Sequence, residues 1–215
     1  MRQKRTLTNH HTPSIAFVVD GETEVWYIQM LQRNERGLNI KLKPDIPSKK
    51  SLREQYELVV KQLESEYDYV VWLIDLDKVM EETRDTPKGK ITSLDQLINY
   101  RAKLLFKYKN VEVLINNPCL EYWFLLHFEK TAKLFTSCGS TETVLKSHLA
   151  DYAKTQKYYT KEGNDIYKKL KPYLERAIHN SKSLGVFSED EPQRALCEMH
   201  SLFSLLPLKE YFKFK

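Results

Sequence analysis

The sequence predicts an α/β protein: a mainly parallel four-stranded sheet flanked by helices, followed by a C-terminal helical extension. Two runs, Ser14 to Val19 and Tyr69 to Ile74, carry no polar alternation, the pattern of strands covered on both faces. Strand and helix patterns alternate from residue 14 to residue 130, as parallel strands joined by crossover helices require. From residue 131 to residue 215 the strand signals fade and helical stripes remain, which suits helices packed on the sheet. With 41% hydrophobic residues in 215, one sizeable core is within reach.

The elements follow in order. Residues 1–13 are polar and basic and lack the hydrophobic run of a secretory signal, so a mobile tail on a cytoplasmic protein is expected. Ser14 to Val19 runs as a buried strand into Asp20-Gly21. Glu22 to Gln32 carries Val25, Ile28 and Leu31 at helical spacing, with acids in the first turn, where the helix dipole favours them. Leu38 to Leu42 alternates apolar with polar residues and suits a more exposed strand, and Ser51 caps a helix whose stripe includes Leu52, Val59 and Leu63. Tyr69 to Ile74 ends at Asp75-Leu76-Asp77, after which a polar loop of about fifteen residues is expected, containing Pro87-Lys88-Gly89. Ser93 caps another helix, Val111 to Ile115 is a fourth strand, and Pro118 to Phe128 is a helix with proline in its first turn. Three more helices are expected at Thr141 to Tyr152, Asn164 to Ser183 and Pro192 to Leu206, with Pro172 kinking or splitting the second.

Composition narrows the function. A net charge of +5 excludes a histone-like coat but permits one basic face over an acidic site. No apolar run approaches the roughly 18 residues of a membrane span. Cys119, Cys138 and Cys197 are odd in number and lack CxxC spacing, which argues against both a disulfide framework and a structural zinc site.

Two acidic constellations stand out. Asp20-Gly21-Glu22-Thr23-Glu24 follows the first strand and Asp75-Leu76-Asp77 follows the third, and ligands of parallel α/β sheets gather outside the carboxyl ends of strands. If the third strand stays extended, Asp75 and Asp77 point the same way. Acids in a first helical turn or after a strand are ordinarily caps and turn formers; two such motifs ending two apolar strands of one sheet favour a site. Like charges about 4 Å apart repel by roughly 4 kcal/mol at an effective dielectric of 20, so convergence of Asp20, Glu24, Asp75 and Asp77 calls for a cation. Carboxylate donors suit Mg²⁺ or Mn²⁺, which activate water for phosphodiester displacement. Lys78 can meet a phosphate, and Lys154, Lys157 and Lys161, set among tyrosines, combine charge neutralisation with base stacking, a composition shared by plain solvated connectors. Glu121 lies near the same sheet edge, able to ligate metal or orient a water. His127, six residues on, points in a rather different direction; it is a candidate supporting residue of the site, and its plainer reading is a core histidine.

FVVDGETE and WLIDLDK resemble the two acidic motifs of the Toprim domain. NNPCLEYWFLLHFE, from Asn116 to Glu129, closely resembles the signature of RloB-like proteins, a Toprim-related bacterial family, and so does the later stretch with Tyr152, Lys154 and Asn180. The resemblance implies a Toprim-like fold, divalent metal binding, action on DNA or RNA in antiviral defence by abortive infection, and a partner ATPase, RloA. It makes Asp20, Glu24, Asp75 and Asp77 the metal and catalytic set of a nuclease. The family pattern favours Glu at the first acidic position, where this chain has Asp20, one methylene shorter. The rival expectation is a non-catalytic sensor or adaptor that binds a Mg²⁺-nucleotide and signals to the ATPase.

Overall fold

The computed structural model describes residues 12–38, 41–45 and 51–213. Residues 1–11 of the expected tail lie outside that range. Strand β1 (Ser14–Val18) is followed by α1 (Glu22–Asn34), β2 (Lys41–Asp45), α2 (Leu52–Leu63), β3 (Tyr69–Asp75), α3 (Leu76–Asp85), α4 (Ser93–Lys107), β4 (Val111–Asn117) and α5 (Leu120–Leu126). Short helices complete the chain: α6 (Cys138–Leu145), α7 (Gln156–Thr160), α8 (Ile166–Leu170), a 3-10 turn at Lys171–Tyr173, α9 (Leu174–Ser183), α10 (Met199–Leu202) and α11 (Leu206–Phe212), with a two-residue strand, β5 (Leu196–Cys197), before α10.

The sheet runs β2-β1-β3-β4-β5, its first four strands parallel as the alternating pattern requires, and β5 antiparallel at the edge. Both faces of the central strands are dry. Ile15, Phe17, Val71, Leu73 and Leu114 face α1, α5 and the C-terminal helices in one core. Ala16, Val18, Trp72, Ile74 and Val113 face α2, α3 and α4 in the other. The C-terminal helices therefore share the first core with the sheet: Leu145, Tyr159, Leu170, Ala177 and Leu202 are buried in it. Among the described residues no helix is long and apolar enough to cross a membrane.

Four expectations about elements need correction. The polar loop after Asp77 is instead mostly helix α3, because Leu76 and Val79 give its charged surface a buried stripe against the second core. Asp75 is thus the residue before a helix and Asp77 lies in its first turn, so strand alternation does not bring their carboxylates together. Strand β2 begins at Lys41, not Leu38: Leu38 closes the turn after α1, its N–H bonded to Glu35 O at 2.8 Å, and buries in the core. The expected helix from Pro192 gives way to β5, because Glu198 takes the backbone N–H groups of Ile115 (2.9 Å) and Phe187 (2.8 Å) and binds this segment to the sheet edge. Thr92, not Ser93, is the residue capping α4, with Asp95 completing a capping box. Pro172 splits the long helix as the sequence predicts.

Trp123 joins the two halves of the first core. It is fully buried, stacks on Phe203 at a centroid distance of 5.8 Å and donates to the Tyr27 hydroxyl at 2.9 Å. Trp123→Ala is expected to cost about 3–5 kcal/mol in urea unfolding. Trp123→Phe, which keeps most of the volume but strands the Tyr27 hydroxyl, should cost about 1–3 kcal/mol.

Candidate metal centre

The parallel strands β1, β3 and β4 end at one edge of the sheet, and the acids singled out in the sequence sit on their ends or in the first turns of the helices that follow. Asp20 leaves β1 into a cleft of about 470 Å³, lined also by Ser51, Gln55, Asp75, Lys78 and Glu82. Its Oδ1 accepts from Gln55 Nε2 at 3.2 Å and its Oδ2 pairs with Lys78 Nζ at 2.7 Å. Trp72 orients Gln55: an indole N–H only donates, so it claims Gln55 Oε1 at 3.0 Å and turns the amide nitrogen toward Asp20.

Glu24 is 3% exposed, and Thr23 Oγ1 donates to its Oε2 at 3.1 Å. Burial lifts its pKa from 4.5 to about 7; its own backbone N–H opposes the shift, and the charges of Glu121 and Asp20 add to it. A Cβ on Gly21 would stand 3.0 Å from Glu24 Oε2, so glycine in this turn leaves space for the carboxylate. Burial also pushes Asp75 well above the usual carboxylate range, reinforced by Glu24, Glu121, Asp77 and Asp20 in that order. Four carboxylates therefore act on Asp75. Asp77 rises more moderately: burial raises it, while the N–H groups of Lys78 and Cys138 and the ammonium charges of Lys78 and Lys154 hold it down.

Glu121, 1% exposed at the start of α5, is the most heavily bonded of the five. Its Oε1 accepts from Tyr152 Oη at 2.6 Å and pairs with Lys154 Nζ at 3.0 Å. Its Oε2 lies 3.0 Å from Cys119 Sγ and 2.9 Å from Cys138 Sγ. Those two cysteines, 19 residues apart, form a disulfide, which corrects the expectation drawn from an odd cysteine count without CxxC spacing. Asp77 stands beside this pair: its carboxylate and the two sulfurs present donor atoms all within 4.8 Å of one another. The fold supplies a proximity that local spacing does not encode.

The oxygen-only donors Asp20, Glu24 and Asp75 fit Mg²⁺ or Mn²⁺. Asn116 adds an independent sign of a polar occupant. It lies in register with Asp75 on β4, is 0% exposed, and neither polar atom of its side chain has a hydrogen-bond partner among the described residues. A buried polar group left in that state costs about 1–3 kcal/mol. Among the described residues, none of Asp20, Glu24 and Asp75 belongs to a group of three donors all within 4.8 Å.

The remaining residues are placed as follows. Lys78 stands in the cleft. Lys154 is drawn inward, bridging Glu121 and Glu142 at 3.0 Å each; burial acts to lower its pKa, and the two carboxylates outweigh that and raise it. Lys157 and Lys161 are exposed on and just after α7. His127 is a fully buried histidine: its Nδ1 meets Trp123 O at 2.9 Å, and burial lowers its pKa to about 3. Sequence reasoning missed Gln55, Asn116 and Cys138. Asn116 lies at the carboxyl end of a buried strand, beside Asp75, so the same carboxyl-end rule identifies it; nothing local marks the other two.

Asp75→Asn removes the charge its four neighbours oppose. The metal-free variant should melt higher than the parent, by about 2–4 °C per kcal/mol of repulsion relieved, and the rise in melting temperature that Mg²⁺ or Mn²⁺ gives the parent should vanish. Calorimetry with and without metal measures both. Glu24 gives a pH dependence of definite sign. Its folded-state pKa of about 7 exceeds the ordinary 4.5, so between those values the folded state holds a proton that the unfolded chain has released. Metal-free stability should fall as pH rises through that window, and the stabilisation given by metal should grow over the same range.

Comparison with known proteins places the chain. A family model described as RloB-like protein matches residues 15–206, a span containing all five acids, the disulfide and the helices around them. No curated protein and no solved structure matches the chain. Since the match runs from β1 into the start of α11, the chain belongs to the RloB-like family.

Proposed function

We propose that the chain is a divalent-cation-dependent nuclease acting in bacterial defence, hydrolysing phosphodiesters with water as the nucleophile. The observation that carries this reading is the buried Asp75, on which four other carboxylates act, at an open cleft with Lys78 at its wall. Asp20, Glu24, Asp75 and Asp77 would hold Mg²⁺ or Mn²⁺, with Glu121 and Asn116 behind them. When bound, such a cation lowers the pKa of a coordinated water and neutralises charge on the phosphate.

The side chains supply the rest. Glu24, with a pKa of about 7, is matched to accept a proton from water near neutral pH. Lys78 has a side chain 61% exposed and a single short bond to Asp20, so it can exchange that carboxylate for a substrate phosphate oxygen. Lys157 and Lys161 offer further phosphate contacts from an exposed surface. Lys154, expected as a substrate contact, pairs with Glu121 and Glu142 and would also brace the acid cluster. Family resemblance supports the defence setting and a partner ATPase. One observation favours a second reading, the sensor: a cleft of about 470 Å³ is the size of a small-ligand site, so a Mg²⁺-nucleotide fits its volume.

Incubation with DNA or RNA and Mn²⁺, with and without the ATPase, separates the two. Cleavage that Asp75→Asn lowers by about 10²-fold or more is expected of the nuclease. Nucleotide binding with no cleavage of either polymer would establish the sensor. In the nuclease case, Lys157→Ala with Lys161→Ala should weaken duplex binding and flatten its log-log salt dependence by about 0.9 per lost phosphate contact, leaving the cleavage rate of bound substrate near that of the parent.

A further inference from the structure

We propose that Cys119 and Cys138, once reduced, join Asp77 and Glu121 to bind one thiophilic divalent cation of the Zn²⁺ class, at a site adjoining the oxygen-donor cluster. The donors of Asp77, Cys119 and Cys138 already lie within 4.8 Å of one another, and Glu121 Oε2 is 3.0 and 2.9 Å from the two sulfurs. Two sulfurs and two carboxylate oxygens make a four-donor set of the kind Zn²⁺ takes, whereas Mg²⁺ avoids thiolates.

The surroundings hold these donors in place. Cys119 is 1% exposed at the start of α5, and Cys138 opens α6, where Ser137 and Ser140 form a capping box. The N–H of Asp77 donates to Pro118 O at 3.1 Å, tying the start of α3 to the residue before Cys119. Tyr152 and Lys154 occupy Glu121 Oε1 and leave Oε2 facing the sulfurs, the outer support that ligating carboxylates ordinarily have. Lys154 Nζ, 3.2 Å from Cys138 Sγ, offsets part of the negative charge of two thiolates and two carboxylates.

The chemistry balances with a small-molecule dithiol as reductant. Its two thiols exchange with the Cys119–Cys138 disulfide, the dithiol leaves as its cyclic disulfide, and two protein thiols form. Cation binding then releases their two protons to solvent.

The test uses the full-length chain, reduced with dithiothreitol, desalted without oxygen and titrated with Co²⁺. One equivalent should bind with a near-ultraviolet sulfur-to-cobalt charge-transfer band, one equivalent of Zn²⁺ should abolish it, and the oxidised protein should show none. Cys138→Ser should remove about half of the band intensity, as loss of one of two thiolates requires. Tyr152→Phe, which leaves both thiols intact, should weaken binding by about 10-fold or more. A reduced, folded protein with reactive thiols but no band would overturn the proposal, as would a band that survives unchanged in both Cys119→Ser and Cys138→Ser. Millimolar Mg²⁺ gives no such band, so this result stands or falls separately from nuclease activity.

Discussion

Repulsion among buried carboxylates is the constraint on which the rest of this molecule turns. One pair of unit charges about 4 Å apart in a partly solvated site costs roughly 4 kcal/mol, against a total stability of about 5–15 kcal/mol for an ordinary domain. Five acids cannot all stay ionised and unpaired in such a place. The protein answers in two ways visible in its structure. Glu24 and Asp75 shift toward the protonated form, and Lys78 and Lys154 bring ammonium groups to Asp20 and Glu121. The Glu24 shift is reversible near neutral pH, and the ion pairs can exchange partners. A purely structural cluster would be expected to use fixed hydrogen-bond donors instead, as Glu198 does with the backbone N–H groups of Ile115 and Phe187.

Much of this was legible in the sequence because strand burial and strand ends leave strong marks. SIAFVV and YVVWLI carry no polar alternation, so their place in the sheet centre and the position of Asp20 and Asp75 at its carboxyl edge follow directly. The parts that were not legible depend on distant contacts. Helix α3 hides its apolar stripe among seven polar or charged residues, and only the second core shows what Leu76 and Val79 bury against. Strand β5 is two residues long and exists because β4 lies beside it. Gln55 reaches Asp20 only because Trp72, 17 residues later, dictates which way its amide faces. The pairing of Cys119 with Cys138 likewise depends on α6 folding back over α5.

The Asn-Pro-Cys segment shows how a sequence signature divides its labour. All of α5 is buried, yet its residues have unlike tasks. Trp123 and Phe124 fill the core beside Tyr27, and His127 bonds to a helical carbonyl. Asn180, on α9, donates to Leu126 O at 2.9 Å and Glu129 O at 3.3 Å, satisfying carbonyls that the end of α5 would otherwise leave open. Asn116 pairs in register with Asp75, Pro118 O takes the Asp77 N–H, and Cys119 Sγ lies beside Glu121, so this end of the segment meets the acids. A mutation scan across this segment would therefore mix losses of folding with losses of site chemistry unless stability is measured alongside.

Glu121 also settles what the C-terminal helices contribute to the site. Its two oxygens have different neighbours: Oε1 belongs to Tyr152 and Lys154, both supplied after α6, and Oε2 belongs to the sulfurs of Cys119 and Cys138. Tyr152 is itself held by a 2.6 Å contact with the Tyr159 hydroxyl on α7, and α7 packs on α1, the helix that carries Glu24. The chain of contacts thus closes on itself, from the first acidic motif through the helical extension to Glu121 and back to the sheet edge. Removing the extension would expose Glu121 and Glu24 to water, lower the burial that raises the Glu24 pKa, and dissolve the electrostatic coupling that makes the acids a cluster. The extension is therefore a wall of the site, and the strands that present the acids are only half of what tunes them.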